Sequence, residues 1–86
     1  MLMGAWVWIL EGFDRESGGF RERHELPELS DLDAMHLLGS EELGDGDLYE
    51  ISEDSLVRLS LRFGLKVFPK HLEYLLGREA SPSSLA

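Results

Sequence analysis

An uninterrupted apolar run, Trp6 to Leu10 within "MLMGAWVWIL", constrains the fold more than any other part of the sequence. Its alternating Trp, Val and Ile side chains favour extended backbone, because aromatic and β-branched residues pack well on a pleated surface. The segment lacks a basic leader and a small-residue cleavage site, and it is too short to cross a bilayer as a helix. We therefore expect a buried strand, with Trp6 and Trp8 on one face and packed in the core.

A β-hairpin is predicted over residues 5–26, with "ESGG" (16–19) as its turn, because glycine there can supply a positive φ angle. A longer loop that closes on Phe13 and Phe20 gives one register. The alternative is a two-residue turn at Gly18 and Gly19, which we prefer because it places three pairs of opposite charges across the strands. Those pairs are Glu16 with Arg21, Arg15 with Glu22, and Asp14 with Arg23.

Two helices are predicted from their end signals. Ser30 and Ser52 are good N-caps, and Gly39 and Gly64 stand just after the last apolar residue of each periodic segment. Ile51 and Leu56 flank the second cap as a hydrophobic staple. The helices should therefore span about 31–38 and 53–63.

The C-terminal third allows two interpretations. "LYEI" (48–51) and "LKVF" (65–68) suit short strands, and Pro69 is well placed to open a third helix that ends at Gly77. A strand through "HLEYLL" is the alternative, since short apolar runs fit both patterns. Phe68 and Tyr74 are expected in the core in either case.

These elements together predict an α+β fold over residues 1–79. The expected architecture is an N-terminal β-hairpin, two helices and a short C-terminal strand or helix, packed as one two-layer domain. Residues 80–86 are small, polar and contain proline, so we expect a disordered tail.

The charge balance narrows the class of partner. Seventeen acidic and eight basic residues in 86 give a net charge of −9, which repels nucleic acids and anionic membranes and favours a basic protein. The 43% apolar content is enough for a small core. Because the chain has no cysteine, it has no disulfide and no thiolate site, and we expect a cytoplasmic location.

Acidic residues concentrate in and after "SEELGDGDLYE" (40–50). From Glu28 to Asp54 there are ten acids and no Lys or Arg, whereas from Ser55 to Arg78 there are five bases and one acid. A solvated loop with two helix N-termini would also collect acids, because the helix dipole favours them there. Our functional hypothesis is a partner-binding surface made of Glu41, Glu42, Asp45, Asp47, Glu50, Glu53 and Asp54.

Catalysis, metals and cofactors are not expected. An EF-hand loop starting at Asp45 would put Tyr49 and Leu56 at ligand positions, so the match fails. The histidines lack HxxxH spacing, and the chain has no G-x-S-x-G, phosphate-binding or dinucleotide-binding motif. The sequence therefore predicts a binding protein rather than an enzyme.

Four segments carry a family resemblance: "WVWILEGFDRESG", "HELPELSDLDAMHLLG", "DLYEIS" and "FGLKVFPKHLEYLLG". Their order resembles a family of short actinobacterial proteins, which are in turn similar to immunity proteins of polymorphic and contact-dependent growth-inhibition toxin systems. The resemblance covers most of residues 6–78 and carries no active site. It implies small size, an α+β fold and a toxin domain as partner.

The charge and the resemblance favour the same function. Nuclease toxins have basic substrate clefts, and an acidic inhibitor can occupy or flank such a cleft in place of phosphates. We therefore expect an inhibitor of a cognate toxin domain. The alternative is a structural or adaptor module that self-associates through the first strand as a sheet edge or through its tryptophans. The sequence leaves the oligomeric state open.

Overall fold

The computed structural model describes residues 6–39 and 48–80, which form a four-stranded sheet and two helices. In chain order the elements are β1 (Trp6–Asp14), β2 (Phe20–Leu26), α1 (Asp31–Leu38), β3 (Leu48–Glu50), α2 (Glu53–Phe63) and β4 (Leu72–Ala80). Neighbouring strands are antiparallel and lie in the order β2-β1-β4-β3. The α+β prediction is confirmed. The predicted tail lies outside the described residues apart from Ala80, where β4 ends.

The core lies between the helices and one face of the sheet. Trp8 and Leu10 of β1 point to this side together with Leu76, which pairs with Leu10. The two helices and the segment before α1 supply the opposing side chains, which are Leu29, Ala34, Leu56 and Leu59.

The other face of β1 is buried as well, although both described helices pack against the opposite face of the sheet. Val7 and Ile9 point to this face and are 8% and 2% exposed. Arg23 of β2 and Glu79 of β4 form an ion pair across β1, and the register places Ile9 between them. The aliphatic parts of such side chains can cover apolar surface while their charged ends reach water.

Both helix predictions are confirmed, including their ends. The Ser30 hydroxyl accepts a hydrogen bond from the Asp33 amide, and Ser52 does the same for Ser55. Gly39 and Gly64 adopt the left-handed conformation that ends a helix. The buried Ser55 hydroxyl donates to the Leu37 carbonyl over 2.7 Å, which ties the start of α2 to the end of α1.

The preferred hairpin register is wrong, and the alternative is correct. Phe13 pairs with Phe20, and their rings meet edge to face with centroids 5.9 Å apart. The Asp14 carboxylate accepts the amide hydrogens of Glu16 and Ser17 and so organises a longer loop. These local hydrogen bonds and the aromatic contact outweigh exposed charge pairs, each of which contributes little.

Of the two interpretations left open for the C-terminal segment, the strand is correct and the third helix is not. Residues 72–80 form β4, which pairs with β1 along its whole length, and residues 65–68 form a connection without a strand. Leucines at 72, 75 and 76 match a helical period, but Leu72, Tyr74 and Leu76 match a strand equally well and are the ones buried. Pairing with β1 decides between them, because β1 needs a neighbour on each edge.

As a result β1 is a central strand, so the predicted use of this strand as an exposed sheet edge is wrong. The prediction that both tryptophans lie in the core holds for Trp8, but Trp6 is 47% exposed. Arg78 lies against both rings, 5.2 Å from the Trp6 centroid and 5.7 Å from that of Trp8. Asp31 accepts hydrogen bonds from the Trp8 indole and from Arg78, each over 2.9 Å, and thereby fixes the start of α1 to the sheet.

Gly12 leaves room for a polar network on the core side of the sheet. It lies between Glu22 on β2 and Tyr74 on β4, and the Tyr74 hydroxyl donates to Glu22 across it over 2.6 Å. The Phe68 amide donates to the Tyr74 hydroxyl, and Nε2 of His24 lies 3.2 Å from the same Glu22 oxygen. The network joins three strands and the connection before β4.

We expect Gly12→Ala to destabilise the protein by about 1–3 kcal/mol, the usual range for overpacking. A Cβ atom at this position would lie 3.0 Å from Glu22 Cγ and 3.0 Å from Tyr74 Cε1, which would push both side chains apart. Urea denaturation measures the change, with Gly19→Ala in the exposed turn as the control. Equal stability of the two variants would contradict close packing at Gly12.

The Tyr74 phenol should make stability fall at high pH. Burial, and then the hydrogen bond to Glu22, raise the pKa of Tyr74 from 10.0 to about 12. The folded state holds the proton more tightly, so this contribution is complete below pH 10 and is lost as the pH rises towards 12. Thermal unfolding between pH 9 and 12 should show a shallower decline for Tyr74→Phe than for the unmodified protein, and parallel declines would exclude this role.

Candidate functional site

The structure describes three of the seven residues predicted to bind a partner. Glu50, Glu53 and Asp54 are all exposed. The other four, Glu41, Glu42, Asp45 and Asp47, lie outside the described residues. The described part of the predicted surface therefore consists of the end of β3 and the start of α2.

The local fold brings Glu50 and Glu53 together. β3 ends at Glu50, and Ser52 caps α2 two residues later, so the chain turns sharply between the two carboxylates. Both line a depression of about 160 Å³ between the start of α2 and the loop around Pro69. Glu73 from β4 lines the same depression, which is floored by Leu56 and Tyr74 among others. We call Glu50, Glu53, Asp54 and Glu73 the acidic corner.

Most carboxylates elsewhere in the described structure have basic partners, although the exposed Glu16 and Glu28 have none. Arg21 pairs with Asp14, Arg23 contacts Glu11, Glu25 and Glu79, and the two helix-start aspartates pair with arginines. Those last pairs are Asp31 with Arg78 and Asp33 with Arg62, each over 2.9 Å. The Arg62 hydrogen bond holds the pKa of Asp33 below its ordinary value.

The acidic corner is different, because its four carboxylates form no ion pair with any residue in 6–39 or 48–80. Arg15 is the basic residue that lines the depression, and its Nε donates to the Pro69 carbonyl over 2.9 Å instead. The charge of the corner is therefore only partly compensated within the molecule. Such a surface attracts basic groups from outside.

The arrangement suits contacts with several basic side chains. Across the described ranges, no group of three or more His, Cys, Asp or Glu side chains is placed to hold one metal ion. Glu50, Glu53 and Glu73 come from three elements and line the depression, and Asp54 follows Glu53 in α2, so these carboxylates can meet separate Lys or Arg side chains. Ile51 and Pro69 in the wall offer apolar contact to the stems of those side chains.

Sequence reasoning did not place Glu73 and Arg15 at this site. Both depend on β4, because the strand carries Glu73 to the corner and the Arg15 amide bonds to the His71 carbonyl just before the strand begins. The strand interpretation of "HLEYLL" could have placed Glu73. Side chains alternate between the two faces of a strand, so Glu73 lies on the face opposite the buried Leu72 and Tyr74.

Comparison with protein-family models, curated proteins and solved structures finds no match for this chain. The resemblance to immunity proteins remains a prediction from the sequence. Among the described residues, no helix has the length and apolar character needed to cross a membrane.

Neutralising part of the acidic corner should stabilise the protein at low salt. The double variant Glu50→Gln and Glu73→Gln removes like-charge repulsion without breaking an ion pair, and we expect the melting temperature to rise by about 1–4 °C. In 0.5 M NaCl the difference should shrink, because screening already reduces the repulsion.

The double variant Glu11→Gln and Glu79→Gln is the matched control, since it also removes two negative charges but breaks contacts with Arg23. Its melting temperature should fall or stay constant. A similar rise in both variants would mean that net charge alone, rather than the placement of the unpaired carboxylates, sets the effect.

Proposed function

We propose that this chain is an immunity-type protein that acts in the cytoplasm by binding and neutralising a cognate bacterial toxin domain. The partner is a basic, nuclease-like domain. It binds a surface of which the acidic corner is the part that lies within residues 6–39 and 48–80. Inhibition works by occupying a surface, with no catalytic step.

The observation that carries the proposal is the grouping of four unpaired carboxylates at one place on the surface, whereas most other described carboxylates are paired. Arg21, Arg23, Arg62 and Arg78 each contact a carboxylate away from the corner. Glu50, Glu53, Asp54 and Glu73 form no ion pair within the described residues, and their charge is only partly compensated by Arg15. Unpaired like charges raise the energy of the folded protein, so their grouping favours a binding role over a structural one.

The physical effect is on association. A field of several carboxylates steers a basic partner and raises its association rate, and the effect weakens as salt shortens the electrostatic range. The other four residues of the predicted binding surface, Glu41, Glu42, Asp45 and Asp47, precede β3 in the chain and lie outside the described residues.

The partner is first sought by affinity capture of the tagged protein from its own cells at 0.1 M and about 0.5 M salt, with mass spectrometry of the captured proteins. The proposal expects a basic toxin domain that is depleted at the higher salt. Recovery of the chain alone at both salt concentrations would instead favour a self-associating module.

The purified partner then allows a kinetic test. We expect the double reversal Glu50→Lys and Glu73→Lys to slow association about tenfold or more in 0.1 M salt and to reduce its salt dependence. The matched control reverses Glu16 and Glu28, which are exposed, have no ion partner among the described residues and lie outside the depression. Equal slowing in both double variants would remove the acidic corner from the interface.

A further inference from the structure

A second surface, outside the acidic corner, is built around Glu22. Its Oε1 atom accepts a hydrogen bond from the Tyr74 hydroxyl over 2.6 Å and lies 3.2 Å from Nε2 of His24. With both neighbours on one oxygen, Oε2 has no hydrogen bond or ion pair to any residue in the described ranges. The Glu22 side chain is 24% exposed, so the carboxylate is held in place yet reachable from solvent.

Glu22 lines a shallow depression of about 410 Å³ whose other walls are Arg21, Phe68, His71 and Leu72. Phe68 is 49% exposed, although its backbone amide is fixed by a hydrogen bond to the Tyr74 hydroxyl. The same phenol therefore positions both the carboxylate and the aromatic residue. This combination of a fixed acceptor beside a flat apolar ring is a built recognition site rather than loose surface.

The chemistry of the two groups selects a guanidinium. A planar guanidinium can stack on a phenyl ring and donate hydrogen bonds to a carboxylate at its edge. Arg21 also lines the depression, but it is paired with Asp14 over 3.2 Å, so its repulsion of a second cation is reduced. The net charge of −9 favours a cationic ligand over an anionic one.

We propose that the depression at Glu22 and Phe68 binds an arginine side chain of a protein partner. The guanidinium donates to Oε2 of Glu22 and stacks on Phe68, and Leu72 contacts the aliphatic stem. This site is separate from the acidic corner, and binding to it can be measured without the toxin domain of the proposed function.

The test is an NMR titration of the intact chain at pH 8 with N-acetyl-arginine amide, a blocked arginine. We expect saturable shifts of the Glu22, Phe68 and Tyr74 signals, with a Kd on the order of 1–10 mM. The corresponding citrulline compound has nearly the same shape without the charge and should bind about tenfold more weakly.

Two variants identify the contacts. Glu22→Gln keeps an acceptor for Tyr74 and should weaken arginine binding about tenfold, whereas the exposed Phe68→Ala should weaken it about threefold. Glu25→Gln, on the same strand but the opposite face, is the control and should bind normally. Equal affinity for the two compounds, unchanged affinity in both variants, or shifts centred on Glu50 and Glu53 would overturn the proposal.

Discussion

The structure depends on one requirement: β1 is apolar on both faces, so both of its faces and both of its edges must be covered. Hairpin closure provides β2 on one edge, but the other edge needs a long partner from elsewhere in the chain. The nine-residue β4 meets this need by pairing with β1 along its whole length. The helices cover Trp8 and Leu10 on one face, and cross-strand charged side chains flank Ile9 on the other. The C-terminal segment is thus fixed in place by the N-terminal one.

This requirement explains which parts of the fold could be predicted. Helix ends depend on residues three or four positions apart, and the caps at Ser30 and Ser52 were identified correctly for that reason. The hairpin register and the choice between helix and strand for residues 72–80 depend on more than local sequence. Strand pairing between distant residues competes there with local sequence patterns. Opposite charges and leucine spacing both carried misleading signals, because neither reflects the Asp14 loop hydrogen bonds or the need of β1 for a second neighbour.

The candidate site was predictable to a similar extent. Glu50, Glu53 and Asp54 could be found from sequence, because acids around a helix start are visible as a run. Glu73 and Arg15 could not, since their placement follows from β4. The ion pairs of the remaining acidic residues could not be predicted either. Glu79 and Arg23 are far apart in sequence, and only the strand order shows that Arg23 reaches across β1. The unpaired corner is recognised by contrast with those pairs.

The position of the two tryptophans determines what can be observed by fluorescence. Both lie against Arg78 at the end of the sheet where α1 begins, and the Trp8 indole is bonded to Asp31. Glu73 pairs with Phe13, seven residues along β1 from Trp6, which is about 24 Å in an extended strand. Tryptophan emission therefore reports first on the docking of α1 against the sheet, and binding at the acidic corner is better followed with an external label.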